Sequence, residues 1–237
     1  MLATKKPLTT DALAKIKTKG VQYADFAKLV SHRIKEQGWK TNAPRHAVTA
    51  SKMEAIMTWD IPTLDASVPK GYVLTVGVRI CNSQRHAPTV YVGITHVATG
   101  RGLVYKEFKS FTTPPATISD EDLAGEVVEC VNICKGKLVK WASWLRKQTI
   151  TEGQAAQLML AGCRNTRHNS MILWKRLFLV DAAWRSTSHQ KKYKSTAWGL
   201  LQAMAEVTGQ SPPIDQAGQL FRFQRLLRQE LASPVKV

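Results

Sequence analysis

The sequence predicts an α+β protein with an antiparallel β-β-β-α core, three or four strands plus one long helix, followed by an all-helical tail. Three observations carry this. Between Tyr72 and Phe111, three successive stretches alternate with period two and are rich in β-branched residues. From about Ser119 to Gln148, apolar residues recur at three- and four-residue steps. Beyond Thr149, every periodic stretch has helical rather than strand spacing.

The first 20 residues are polar and basic, with a short helix expected after Thr10-Asp11 and a solvated tail around it. Gln22–Gln37 is an amphipathic helix whose apolar stripe is Tyr23, Phe26, Val30 and Ile34, stopped by Gly38. Trp39 to Ser51 reads as irregular or weakly extended. Met53–Ile61 fits helix or strand; a strand in the same sheet as the next three is favoured, with Pro62 closing it.

The core strands are Tyr72–Ile80, Thr89–Val97 and Gly102–Phe111. Tyr91, Gly93, Thr95 and Val97 fall on one face, and Val90, Val92, Ile94 and His96 on the other. The link from Ala98 to Gly102 is short and glycine-containing, as a hairpin turn requires. One sheet face is expected to meet the long helix while the other stays wet. Thr112-Thr113-Pro114-Pro115 is a rigid connector. The long helix begins at Ser119, an N-cap with Asp122 in the capping-box position. Its stripe is Leu123, Val127, Cys130, Cys134, Leu138, Trp141 and Leu145. Acidic residues fill its first half and basic residues its second, which suits the helix dipole.

In the tail, Thr151 opens a helix to about Cys163, with Gln154 completing a capping box. Arg164–Asn169 is a basic loop, Met171–Arg185 a helix with Leu173, Leu177, Val180 and Trp184 on its apolar face, and Ser186–Ser195 a lysine-rich loop. Thr196–Val207 is a helix stopped by Gly209 and Pro212-Pro213. A last helix from about Asp215 to Leu231 carries Arg222, Arg225 and Arg228 near one face. The chain therefore divides into a basic segment (1–20), an α+β core (21–148) and a helical subdomain (149–237).

With 34 Lys and Arg against 17 Asp and Glu, the 237 residues carry a formal net charge of +17. Such an excess points to a polyanionic partner, with nucleic acid first, because neutralised phosphates release counterions. A membrane is not expected as partner, since no basic amphipathic segment with a fully apolar face and no transmembrane-length apolar run stands out. No signal-peptide pattern is visible, so a soluble protein of the cytoplasm is expected. Cys81, Cys130, Cys134 and Cys163 form no C-x-x-C pair, and are read as buried thiols rather than metal ligands. No paired carboxylates, phosphate loop or spaced histidines appear; no catalytic residue, metal or cofactor is expected, and the protein is not read as an enzyme. The seven tryptophans are read as core.

Single-strand binding combines cations that track phosphates with flat side chains for stacking. Arg79, Arg85, Arg101 and Lys106 in the hairpin region, near Tyr91 and Tyr105, are candidates. So are Arg164, Arg167, Lys191, Lys192 and Lys194 in the tail, the last three around Tyr193. The loops around Arg85 and Arg101, joined by basic tail loops, would form the groove.

Three patches resemble the phage/plasmid-like family of unknown function, domain of unknown function 932. Ala24–Gly38 followed by His46 to Ile61 resembles its glycine-ended amphipathic helix and extended segment. Gly77-Val78-Arg79-Ile80-Cys81-Asn82-Ser83 resembles its strand ending in Arg-Asn-Ser, and Ala197 to Val207 resembles its Ala-Trp-x-Leu-x-x-Ala-x-x-Glu-Val helix. Here two residues separate Arg79 from Asn82, Gln84-Arg85 stand where the family has His-Asp, and its Cys-Asp-Asn is absent. The resemblance implies a phage, prophage or plasmid accessory protein in a bacterial host. The β-β-β-α order is also similar to the core of the single-strand annealing superfamily, which includes the RecT and Redβ recombinases. That similarity implies rings or filaments holding single-stranded DNA. The expected partners are thus single-stranded DNA, with double-stranded DNA or RNA as alternatives, and further copies of the chain. The rival reading is a counter-defence or regulatory protein that binds a host protein or a nucleic-acid complex without catalysis.

Overall fold

The computed structural model describes residues 10–16, 21–49, 51–82, 87–109, 119–163, 174–209 and 213–231. Its centre is a five-stranded antiparallel sheet of order β1-β2-β3-β4-β5: β1 Arg45–Val48, β2 Glu54–Ile61, β3 Tyr72–Cys81, β4 Thr89–His96 and β5 Gly102–Lys109. The α+β class and the strand at 53–61 stand. The strand count rises to five, because Arg45–Val48, inside the segment read as irregular, pairs with β2. Four residues are too few for alternation to show; the partner strand supplies the missing hydrogen bonds. Pro62 ends β2 and opens a 3-10 turn, Pro62–Ser67.

Two helices precede the sheet, α1 Thr10–Ala14 and α2 Tyr23–Glu36. Gly38, at φ +75°, turns the chain out of α2. The expected long helix is two, α3 Asp120–Lys135 and α4 Leu138–Lys147, with the ladder interrupted at Gly136–Lys137. The apolar stripe continues through the break: Leu123, Val127, Cys134, Leu138, Trp141 and Leu145 are all buried. Periodicity therefore concealed the interruption, and Gly136, a weak helix former, marks it. Ser119 caps α3 by accepting from the Asp122 amide at 3.1 Å.

The tail comprises α5 Glu152–Cys163, α6 Trp174–Arg185, α7 Thr187–Tyr193, α8 Ala197–Thr208 and α9 Pro213–Glu230. The α5 capping box is complete: Thr151 Oγ1 accepts from the Gln154 amide at 3.2 Å, and Gln154 Oε1 accepts from the Thr151 amide at 2.9 Å. The lysine-rich segment read as a loop is the helix α7, capped by Ser186, whose hydroxyl accepts from the His189 amide at 3.3 Å. With no Gly or Pro inside it and a serine cap, this run closes a short helix that its charge alone did not suggest. The connector at 112–115, the loop at 164–169 and Leu173 lie outside the described residues.

Cross-strand partners share a sheet face, so the pairing defines two surfaces. One carries Met57, Trp59, Val76, Val78, Val90 and Val92, all buried, and meets α2 and α3. Trp59 Nε1 donates to Ser31 Oγ of α2 at 2.9 Å. The second carries Arg45, Thr58, Asp60, Thr75, Gly77, Arg79, Tyr91 and Thr95, and was expected to stay wet. It is instead roofed by α9, whose Gln216, Ala217 and Leu220 face it across a cavity. The tail is built onto the sheet in other places too. Gln202 Nε2 of α8 donates to the Tyr72 hydroxyl at 2.9 Å, and Thr149 bridges to Thr196. Buried apolar residues of the sheet, α3, α4, α8 and α9 form one continuous cluster.

Candidate nucleic-acid interface

The sheet and α4, α7 and α8 meet at the end of the sheet holding Tyr72, His96 and the β4–β5 turn. Tyr72 and His96 are cross-strand partners, with ring centroids 5.0 Å apart, and Trp198 of α8 packs edge-on to Tyr72 at 5.6 Å. Cations gather around this aromatic platform. The Arg146 guanidinium lies 4.8 Å from the centre of the Trp198 ring. Arg101, in the turn, holds Glu206 of α8 through Nη1 at 3.0 Å. Lys192 of α7 lies over Tyr193 at 5.0 Å. Burial, with the charges of Lys192 and Arg101, holds the His96 pKa below its ordinary value. The same two cations also act on His189, whose pKa is lowered chiefly by burial. Arg101 and Lys192, 91 residues apart in sequence (192 − 101), therefore converge on one histidine. Lys191 and Lys194 are exposed beside them, Lys194 at φ +57° just past the end of α7. Arg146 belongs to this cluster although its place in the last turn of a helix explained it as a dipole partner.

The remaining candidates do not join it. Arg79 sits toward the other end of β3, seven residues from Tyr72 and so about 23 Å along the strand. Its Nη2 donates to Glu54 at 2.8 Å, and both side chains are half-buried. Lys106 is cross-strand to Val92 on the face that meets α3, near Cys130 and Cys134, with its ammonium 4.8 Å from the Phe108 ring. Arg85, Arg164 and Arg167 lie outside the described residues. Tyr91 and Tyr105, named as stacking surfaces, are buried at 6% and 1% exposure and serve the core. Tyr105 packs against Trp141 at 5.4 Å and carries the Arg228 guanidinium at 4.9 Å. Of the three α9 arginines, Arg225 is exposed while Arg222 and Arg228 are half-buried, since residues three apart on a helix drift around it. Tryptophans 59, 141, 144, 184 and 198 are buried, as a core role requires.

A second polar constellation escaped the sequence reading. Asp60, only 7% exposed, accepts from both Arg45 terminal nitrogens at 2.5 and 3.0 Å and from the Thr75 hydroxyl at 2.7 Å. Thr75 also lies 2.7 Å from the Thr95 hydroxyl. Its sequence signal is a period-2 run of small and polar residues, Thr58 and Asp60, Thr75 and Gly77, Gly93 and Thr95. Among the described residues, no group of three or more His, Cys, Asp or Glu side chains is placed to hold a metal, and no helix is long and apolar enough to cross a membrane. No protein family, curated protein or solved structure matches this chain.

Proposed function

We propose that this chain is a phage- or plasmid-type nucleic-acid-binding protein of the bacterial cytoplasm that binds single-stranded DNA and promotes annealing or recombination. The observation that carries the reading is the gathering of Arg101, Arg146 and Lys192, with Lys191 and Lys194 beside them, in a chain of net charge +17. Glu206 orients Arg101 without cancelling the group, because Arg146 and the three lysines add further positive charge around a single carboxylate. Tyr193, half-buried under Lys192, offers a ring edge at the same place. The strand's phosphates are held electrostatically, and its bases are left open for pairing with a second strand. Annealing of this kind consumes no nucleotide, so it asks nothing of a phosphate loop.

The test is binding of a fluorescent single-stranded oligonucleotide of about 36 nucleotides, long enough to exceed a single-domain site. Affinity falls steeply with salt, and the combined K191A/K192A/K194A variant flattens the salt slope by about 2, at roughly 0.7 for each phosphate left without its cation. Mass photometry with DNA shows assemblies of several copies. Binding that is absent, or unchanged by salt and by the triple substitution, overturns the reading. Tight binding to a host protein with no affinity for DNA would establish the rival.

A further inference from the structure

Between α9 and the polar face of the sheet lies a cavity of about 330 Å³. It lies at the small end of the range for ligand pockets, about 300–1,000 Å³. Its floor is pleated backbone at Gly77, with the Leu103 carbonyl lying over Gly93, and its roof is the short side chain of Ala217 with Leu220. The slot is therefore low and flat. Its walls bring no net charge. Arg45, at one rim, is neutralised by the two-point pair with Asp60.

Thr75 has one hydroxyl proton and is oriented as donor both to Asp60 Oδ1 and to Thr95 Oγ1, each at 2.7 Å. Thr95 keeps hydrogen-bonding capacity toward the cavity it lines. A charged guest would lose its hydration there without a charged partner, whereas an uncharged ring with one polar group satisfies Thr95 and fills the slot.

We propose that this cavity is a binding site for a small, uncharged, planar ring compound that hydrogen-bonds the Thr95 hydroxyl. The inference stands on the cavity's own geometry and not on the nucleic-acid reading. The ring can be a free molecule or a base carried on a strand; the chemistry is the same.

The experiment uses the full chain with phenol, indole, adenosine and thymidine as probes, and benzoate and benzylamine as charged counterparts. Saturation-transfer NMR and thermal shift are recorded at about 1 mM, a concentration that detects weak sites. At least one uncharged ring binds, and the charged pair binds about tenfold more weakly or not at all. Ala217→Phe fills the slot and abolishes binding. Thr95→Val keeps the shape, removes the hydroxyl and weakens binding about tenfold. If Ala217→Phe fails to fold by circular dichroism, Thr95→Val decides alone. The proposal is overturned if no uncharged probe binds, if benzoate binds equally well, or if the folded variants bind like the parent. Where the probes bind, loss of oligonucleotide affinity in Ala217→Phe assigns the ring to a strand, and unchanged affinity assigns it to a free molecule.

Discussion

Gly93 sits where β4 meets a bulge in β5. The register slips between Val92 and Gly93: Val92 faces Lys106, Gly93 faces Val104, and Tyr105 is the extra residue. The bulge draws the β5 backbone over Gly93 so closely that a Cβ there would stand 1.9 Å from the Leu103 carbonyl oxygen and 2.9 Å from its carbon. An ordinary carbon–oxygen contact is about 3.3 Å, so Gly93→Ala must part the strands by more than about 1 Å. Backbone cannot rotate aside as a side chain can. Losing about two ladder hydrogen bonds at about 1 kcal/mol each, with some packing around Tyr105, gives about 3 kcal/mol of destabilisation. For a chain of this size that lowers Tm by roughly 6–12 °C. Two controls calibrate it. At Gly77 the nearest atom to an added Cβ is a threonine methyl at 3.2 Å, so Gly77→Ala costs under about 1 kcal/mol. At Gly125, inside α3, nothing lies within 4 Å, so Gly125→Ala stabilises by about 0.5–1 kcal/mol. Urea denaturation of the three variants, with slopes compared, reads the series. A Gly93→Ala midpoint within about 0.5 kcal/mol of the parent would refute the close approach.

Two further predictions concern pH and thiols. His46, 1% exposed on β1, has a folded pKa of about 4 against its ordinary value of 6.5. Below about 6.5 the unfolded chain takes up a proton that the folded chain refuses, so this contribution is complete above that pH and lost as pH falls through 4, amounting to about 3 kcal/mol. Urea midpoints measured from pH 7 to 4 should fall less steeply in His46→Phe than in the parent, and equal slopes would count against burial of the ring. Cys130 and Cys134 are buried with thiol pKa values pushed up to about 12 and about 11, chiefly by burial, and Cys81 and Cys163 are buried as well. None should react with a thiol reagent in the folded protein at neutral pH, and all 4 should react in denaturant; a fast native phase would contradict this packing.

Much of the fold was legible in the sequence because strong local patterns survive any tertiary context. Tyr23, Phe26, Val30 and Ile34 define α2 by spacing alone, and Thr151 with Gln154 announces the start of α5. Where the local signal was weak, the reading failed for a physical reason. Arg45–Val48 is a strand only because β2 offers it a partner. The division between α3 and α4 leaves the apolar period intact, and only the backbone at Gly136–Lys137 reveals it. Lysines at 191, 192 and 194 resemble a solvated loop until Ser186 is seen to cap the turn.

The candidate site divides in the same way. A net charge of +17 follows from composition, and composition alone directs attention to polyanions. Which cations stand together is a matter of long-range contact. Arg101 and Lys192 converge on His96, and Arg146 on Trp198, because α8 docks Trp198 on Tyr72, while Arg79 is carried toward the far end of the sheet and Lys106 to its α3 side. The alternation of Thr58, Asp60, Thr75 and Thr95 placed four polar side chains on one face. Only the return of α9 across that face converted a wet surface into a partly roofed cavity. The strands and most helices belong to local sequence, where period and capping act over a few residues. The roof over the sheet and the grouping of charges belong to the tertiary structure, since burial and Coulomb interaction depend on distance in space and not along the chain.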